Sequence, residues 1–217
     1  SRALLINDLA LVHWTLEKTY LRDIEQGGSA IVPSTWHDGF ESVNTADLFA
    51  AHQCERIVIK PTVGANAKDT FVLADPVGKE RLRELRLVFA NRPFLVQPFI
   101  ENIQSEGEFS LFFFAGEYSH AILKLPKADD FRVQEEHGGL IQSVEAEPLL
   151  VRQAKKVVAA IEPMPLYARV DMVRFEPNEF VVMELELIEP SLYLRMDPDA
   201  PARFATALDS WMRSKRA

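Results

Sequence analysis

The chain has 217 residues, 47% hydrophobic and 26% charged, with a formal net charge of -8. That composition suits one large domain or two small lobes around a packed core, and its acidic balance argues against a general nucleic-acid binder, which needs a basic face for phosphate. The single cysteine, Cys54, rules out an internal disulfide framework and fits a reducing compartment, by default the cytoplasm; no apolar run reaches the length of a membrane span, and "SRALLINDLALVHW" lacks the layout of a secretory signal.

In chain order, a first helix is predicted through "VHWTLEKTYLRDIEQ", stopping at Gly27-Gly28 because glycine readily takes the left-handed conformation that ends helices. A short strand "SAIVP" follows. Next come a helix near "TADLFAAHQ", the strands "RIVIKP" and "TFVLA", a charged helix near "GKERLRELRLVFA" and the strand "FLVQPFI". "EFSLFFFAGEYSHAILKLP" is expected to form a hairpin turning at Ala115-Gly116, "LLVRQAKKVVAAIE" an amphipathic helix, and "APARFATALDSWMRSK" a last helix. Helices and strands mix without strict βα alternation, so the expected class is α+β with largely antiparallel sheets. The expected division is an N-terminal helix over 1–29 packing on a large lobe, a small lobe over 30–98, and the large lobe over 99–217.

The stretch "YARVDMVRFEPNEFVVMELELIEPSL" carries charged residues at alternating positions of apolar runs. Side chains at i and i+2 of a strand share a face, so Arg169 and Asp171 point one way, and Glu184 and Glu186 likewise. With "EPNE" (176–179) as a four-residue hairpin loop, Phe175 faces Phe180, and counting outward pairs Asp171 with Glu184 and Arg169 with Glu186. Facing like charges destabilise a sheet, so three carboxylates and one arginine call for another cation. Hard carboxylate oxygens suit Mg²⁺, with Mn²⁺ as an alternate. A solvated hairpin face with loosely paired charges is the rival reading.

Lys60 ends an apolar strand and precedes a small-residue loop in which Gly64, Ala65 and Asn66 can bring backbone N–H groups to a phosphate, although the P-loop pattern is lacking and an edge lysine beside a surface turn reads the same way. Arg132, in "KADDFRVQEEHGG", and Lys124 are candidate anion clamps, with simple surface charge as the competing reading.

Taken in order, these pieces resemble an ATP-grasp ligase of the prokaryotic glutathione synthetase and D-alanine:D-alanine ligase type, over about Trp14 to Arg195. The wording "DDFRVQ" and "ELELIEPSL" is similar to the group that includes a ligase forming the cycloserine ring. The resemblance implies two α/β lobes that clamp ATP, metal ligands at Asp171, Glu184 and Glu186, and a catalytic Arg169. It implies phosphate contacts from Lys18, Lys60, Lys124 and Arg132, adenine recognition at Gln97, Pro98, Phe99 and Ile100, and ribose binding by Glu108. Many members carry asparagine at the position of Glu186. The family usually has a further N-terminal substrate lobe, and only about 17 residues precede Lys18.

The implied chemistry is transfer of the γ-phosphoryl group to a carboxylate of a small amino-acid-like substrate, then attack by an amine, with positioning and electrostatics supplying most of the catalysis. The rivals are a phosphotransferase on the same fold and an ATP-binding module without turnover. No nucleic acid or membrane partner is expected, and a dimer is left open. His13, His52 and His120 are expected to be packing or surface residues, and His137 a substrate contact or a loop residue.

Overall fold

The computed structural model describes residues 5–127, 132–133 and 138–214. Its elements divide into two units, Val32–Glu101 and the remainder.

In Val32–Glu101 a four-stranded antiparallel sheet has the order β1-β4-β2-β3, from β1 (Thr35–His37), β2 (Arg56–Pro61), β3 (Phe71–Ala74) and β4 (Phe94–Pro98). Helices α3 (Thr45–His52) and α4 (Lys79–Phe89) contribute Leu48, Phe49, Leu85 and Phe89 to one core with Ile57, Ile59, Leu73, Phe94 and Val96. Residues 57 and 59 share a strand face, so Val58 and Lys60 point from the other. Asn44 caps α3 by accepting from Ala46 N, and Gln53 ends the helix in the left-handed region.

The larger unit has a five-stranded antiparallel sheet of order β7-β6-β5-β8-β9, from β5 (Glu108–Phe114), β6 (Glu117–Leu125), β7 (Leu140–Val144), β8 (Tyr167–Glu176) and β9 (Glu179–Glu186). The β5–β6 hairpin turns at Ala115 and Gly116, both at positive φ, the pair of left-handed residues that a tight hairpin needs. Helices α1 (Leu9–Thr15), α2 (Tyr20–Gln26), α5 (Asn102–Ser105), α6 (Pro148–Ala159) and α7 (Ala200–Ser214) complete the unit. Asn7, 2% exposed, ties the first segment to the base of the β8–β9 hairpin: its amide donates to Tyr167 O and Leu187 O and its Oδ1 accepts from Leu166 N. Among the described residues no helix is long and apolar enough to cross a membrane.

Three expectations need correction. The helix over 12–26 is two helices, because Thr15 returns its hydroxyl to Leu11 O and the next turn tightens to i−3 bonds at Tyr20, Leu21 and Arg22. Trp14 Nε1 bridges the break to Asp23 Oδ2 at 2.7 Å. "SAIVP" is no strand: Ile31 makes only an isolated bridge to Val182, and Ala30 O accepts from Val182 N at the edge of β9. Strands β1 and β7 and the short α5 were not anticipated; β1 has three residues, too few for a periodic pattern. The β8–β9 loop is not four residues, since Glu176 already pairs with Glu179.

Candidate active site

The expected partners across β8 and β9 are in place: Asp171 opposite Glu184, and Arg169 opposite Glu186. The route to that register differs from simple counting. From Glu176–Glu179 the ladder skips Phe175 on β8, so that Arg174 pairs with Phe180, and then skips Met183 on β9, which restores the original alignment. Two bulges on opposite strands cancel, and bulges of this kind commonly re-aim side chains beside sites. Ala168, Val170, Met172, Leu185 and Leu187 are all buried.

The charged residues form a ladder across four strands. Lys124 on β6 donates to Glu108 Oε1 on β5 at 2.8 Å and to Asp171 Oδ2 on β8 at 3.2 Å. Arg169 grips Asp171 through Nε and Nη2, at 2.8 Å for the closest pair, and also donates to Glu186 on β9. Ser110 Oγ donates to Asp171 Oδ1 at 2.5 Å. Lys18, in the break between α1 and α2, lies 3.5 Å from Glu184 Oε1. Tyr20 OH accepts from Leu185 N, between the two β9 acids. The extra cations demanded by the acids are therefore Lys124 and Lys18, both drawn from outside the hairpin.

The electrostatics follow from this wiring. Burial raises the Asp171 carboxyl, yet Arg169 and Lys124 outweigh it and hold the group down to about 2. Glu186 goes the other way: burial pushes it up to about 7, and Asp171 and Glu184 add to this against Arg169. Burial also raises Glu108 despite Lys124. Lys124 is raised because Asp171 and Glu108 overcome its own burial. Among the described residues no three His, Cys, Asp or Glu side chains are arranged to hold a metal ion. Asp171 accepts from Ser110, Arg169 and Lys124, which fill its lone pairs. A divalent cation nevertheless fits the donor chemistry, since the acids are hard oxygen ligands and Glu186 is held where its negative charge is under-compensated.

In the smaller unit Lys60 is buried on β2. The loop after it, with Gly64, Ala65 and Asn66, is pinned by Arg92, which donates to Asp69 Oδ2 at 2.6 Å and to Val63 O at 3.2 Å. Asn66, Ala67 and Asp69 take positive φ, a backbone form found in anion-binding nests. Gln97 is buried and donates to Ser34 Oγ at 2.8 Å; Phe99 N bonds Arg56 O, Arg56 lies over the Phe99 ring at 3.7 Å, and Pro98 and Ile100 flank it. Sequence reasoning missed Ser34, Ser110, Tyr20 and Arg92, whose roles depend on tertiary placement. Arg132 is half-buried beside the buried Val133, whereas His137 lies outside the described residues. His120 is a packing residue, stacked on Phe112 at 4.4 Å and bonded to Ser119 Oγ and Leu192 O.

No family model matches the chain. It is 34% identical to the cycloserine biosynthesis protein DcsG of Streptomyces lavendulae, over 94% of this chain and 72% of that protein. The crystal structure of D-cycloserine synthetase DcsG superposes with a TM-score of 0.81 at 31% identity, over 94% of this chain and 72% of that one. The chain belongs to the ATP-grasp ligases. The fold of this ATP-grasp ligase also matches D-alanine--D-alanine ligase from Bacillus anthracis complexed with ATP, with a TM-score of 0.66 at 19% identity over 94% of this chain and 68% of that one. The ATP-grasp ligase PsnB, complexed with a phosphomimetic precursor variant, Mg and ADP, gives a TM-score of 0.69 at 14% identity, over 96% and 62%.

Proposed function

We propose that this ATP-grasp ligase uses ATP to join a carboxylate and an amine on a small amino-acid-like substrate, releasing ADP and phosphate. The observation that carries the reading is the Glu108–Lys124–Asp171–Arg169–Glu186 ladder in a chain 34% identical to a cycloserine biosynthesis protein. We assign the unit Val32–Glu101 to the small ATP-grasp lobe, expected over 30–98, and the remainder, with the helices of 1–29, to the large lobe.

The carboxylate oxygen attacks the γ-phosphorus and the bond to ADP breaks; the amine nitrogen then attacks the acyl carbon, phosphate leaves and a proton is shed. Lys18, Lys60 and Lys124 hold phosphate oxygens, and the loop at Gly64, Ala65 and Asn66 lends backbone N–H groups. Arg169 and Arg132 meet the charge that develops on the moving phosphoryl group. Glu108 takes the ribose, and the segment from Gln97 to Ile100 takes the adenine. Asp171, Glu184 and Glu186 would hold Mg²⁺, which when bound draws phosphate oxygens together and neutralises them. For Asp171 this means exchanging one of its present cations for the metal. The formal net charge of -8 disfavours a nucleic-acid partner, and the single Cys54 suits a cytoplasmic setting.

An acyl phosphate is trapped by hydroxylamine as a hydroxamate. Incubating the protein with Mg·ATP, hydroxylamine and a panel of D- and L-amino acids should yield ADP and a hydroxamate in matching amounts. A stable phosphate ester would instead make the protein a phosphotransferase, and binding of ATP without ADP release would make it a module without turnover.

A further inference from the structure

A single hydroxyl sets which end of the Gln97 amide points where. Ser34 Oγ lies 2.7 Å from Val32 O and 2.8 Å from Gln97 Nε2. A carbonyl oxygen only accepts, so the one proton of Ser34 is committed to Val32, and toward Gln97 the hydroxyl oxygen can only accept in turn. The amide must therefore present its NH₂ end to Ser34. Reversing it would set two acceptors against each other with no proton between them, at a residue only 2% exposed, where a lost hydrogen bond is costly. The acceptor Oε1 is thereby turned away from Ser34.

The β2–β4 register places Gln97 opposite Val58, on the strand face it shares with Lys60. That face is the reverse of the one on which Ile57, Ile59 and Val96 pack against α3 and α4. The oriented amide and the buried lysine therefore belong to one side of the sheet.

We propose that Ser34 is a positioning residue for base specificity: by locking the Gln97 amide it offers an acceptor to the base, selecting a purine with a 6-amino donor over one with a 6-oxo acceptor. This rests on the reading above, in which the Gln97 to Ile100 segment meets the base. A 6-oxo purine would bring its oxygen against Oε1, and the amide can turn to meet it only by breaking its bond to Ser34. Without Ser34 the amide turns freely and serves either base.

Calorimetric titration of the full chain with Mg·ATP and with Mg·ITP tests this. The wild type is expected to favour ATP by about tenfold or more, the scale of one buried hydrogen bond gained rather than opposed. Ser34→Ala is expected to bring the ratio close to one, chiefly through tighter ITP binding. A ratio taken within one preparation does not change with the fraction folded, so partial unfolding does not imitate the result. Adding Gln97→Glu to Ser34→Ala supplies a side chain that accepts in any rotamer and should restore the preference for ATP. A wild type that does not discriminate, or a Ser34→Ala protein that keeps the wild-type ratio, overturns the role of Ser34 and leaves the ATP reading standing. A wild type that binds neither nucleotide removes both.

Discussion

Asp171 on β8 stands directly across from Glu184 on β9, in a register produced by two bulges that cancel. Two facing acids are unfavourable in isolation. Here Asp171 is neutralised by Arg169 and Lys124, while Glu184 has Lys18. The site is thus an ion-pair ladder in which Lys18 and Lys124 supply the cations that the facing acids need.

Arg169 is the centre of that ladder, touching both Asp171 and Glu186 with a side chain 11% exposed. Removing one partner of a buried ion pair strands the others, so Arg169→Met should lower stability by about 3 kcal/mol. Adding Glu186→Gln should recover part of it. Urea denaturation of both variants checks this, and a loss under about 1 kcal/mol for Arg169→Met, the range of surface pairs, would contradict the buried ladder.

Burial raises Glu186 from 4.5 to about 7, so between those values the folded state binds more protons than the unfolded state, and stability falls as pH rises through that window. A third of the side chain is exposed, so solvent screening holds the effect to about 1–2 kcal/mol. Asp171, lowered to about 2, contributes stability that is present above 3.8 and lost as pH falls below it, well away from this window. Glu186→Gln should flatten the decline between pH 4.5 and 7, read from denaturation midpoints. Binding of Mg²⁺ near pH 6.5 should release protons in the wild type and fewer in the variant, read by calorimetry in buffers of different ionisation enthalpy. An unchanged slope in the variant would place the titration elsewhere.

Arg92 bridges Val63 O and Asp69 across the loop that follows Lys60. Arg92→Ala should leave global stability within about 1 kcal/mol, since the pair is partly exposed, while speeding amide exchange at 63–69 and weakening Mg·ATP binding severalfold. Unaltered exchange in that loop would show that Arg92 does not hold it.

Much of the site was legible because strand alternation is a strong constraint. "RVDM" and "MELE" assign Arg169, Asp171, Glu184 and Glu186 to shared faces whatever the loop does. Their pairing follows from a count that assumes a four-residue turn, and the structure keeps it because the Phe175 and Met183 bulges offset each other. Either bulge alone would have defeated the count, since bulges leave no periodic mark in a sequence. The sequence alone puts Lys18 in a continuous helix because "VHWTLEKTYLRDIEQ" keeps helical spacing through the break. The break arises from local hydroxyl and indole bonds that spacing does not encode. Ser34, Ser110 and Tyr20 are ordinary residues until the fold sets them beside Gln97, Asp171 and Leu185.

The most direct test of an Mg-dependent ligase centred on these acids is Mg·ATP binding and ADP formation by Glu184→Gln. Glutamine keeps the shape but removes one charge from the proposed metal ligands. Without metal the variant should unfold within about 1 kcal/mol of the wild type, because relief from Asp171 and Glu186 offsets loss of a pair to Lys18 that is itself partly exposed. Mg²⁺ affinity should fall by about tenfold or more, and ADP formation by orders of magnitude. A Glu184→Gln protein that binds Mg·ATP and forms ADP like the wild type would contradict the account at its centre.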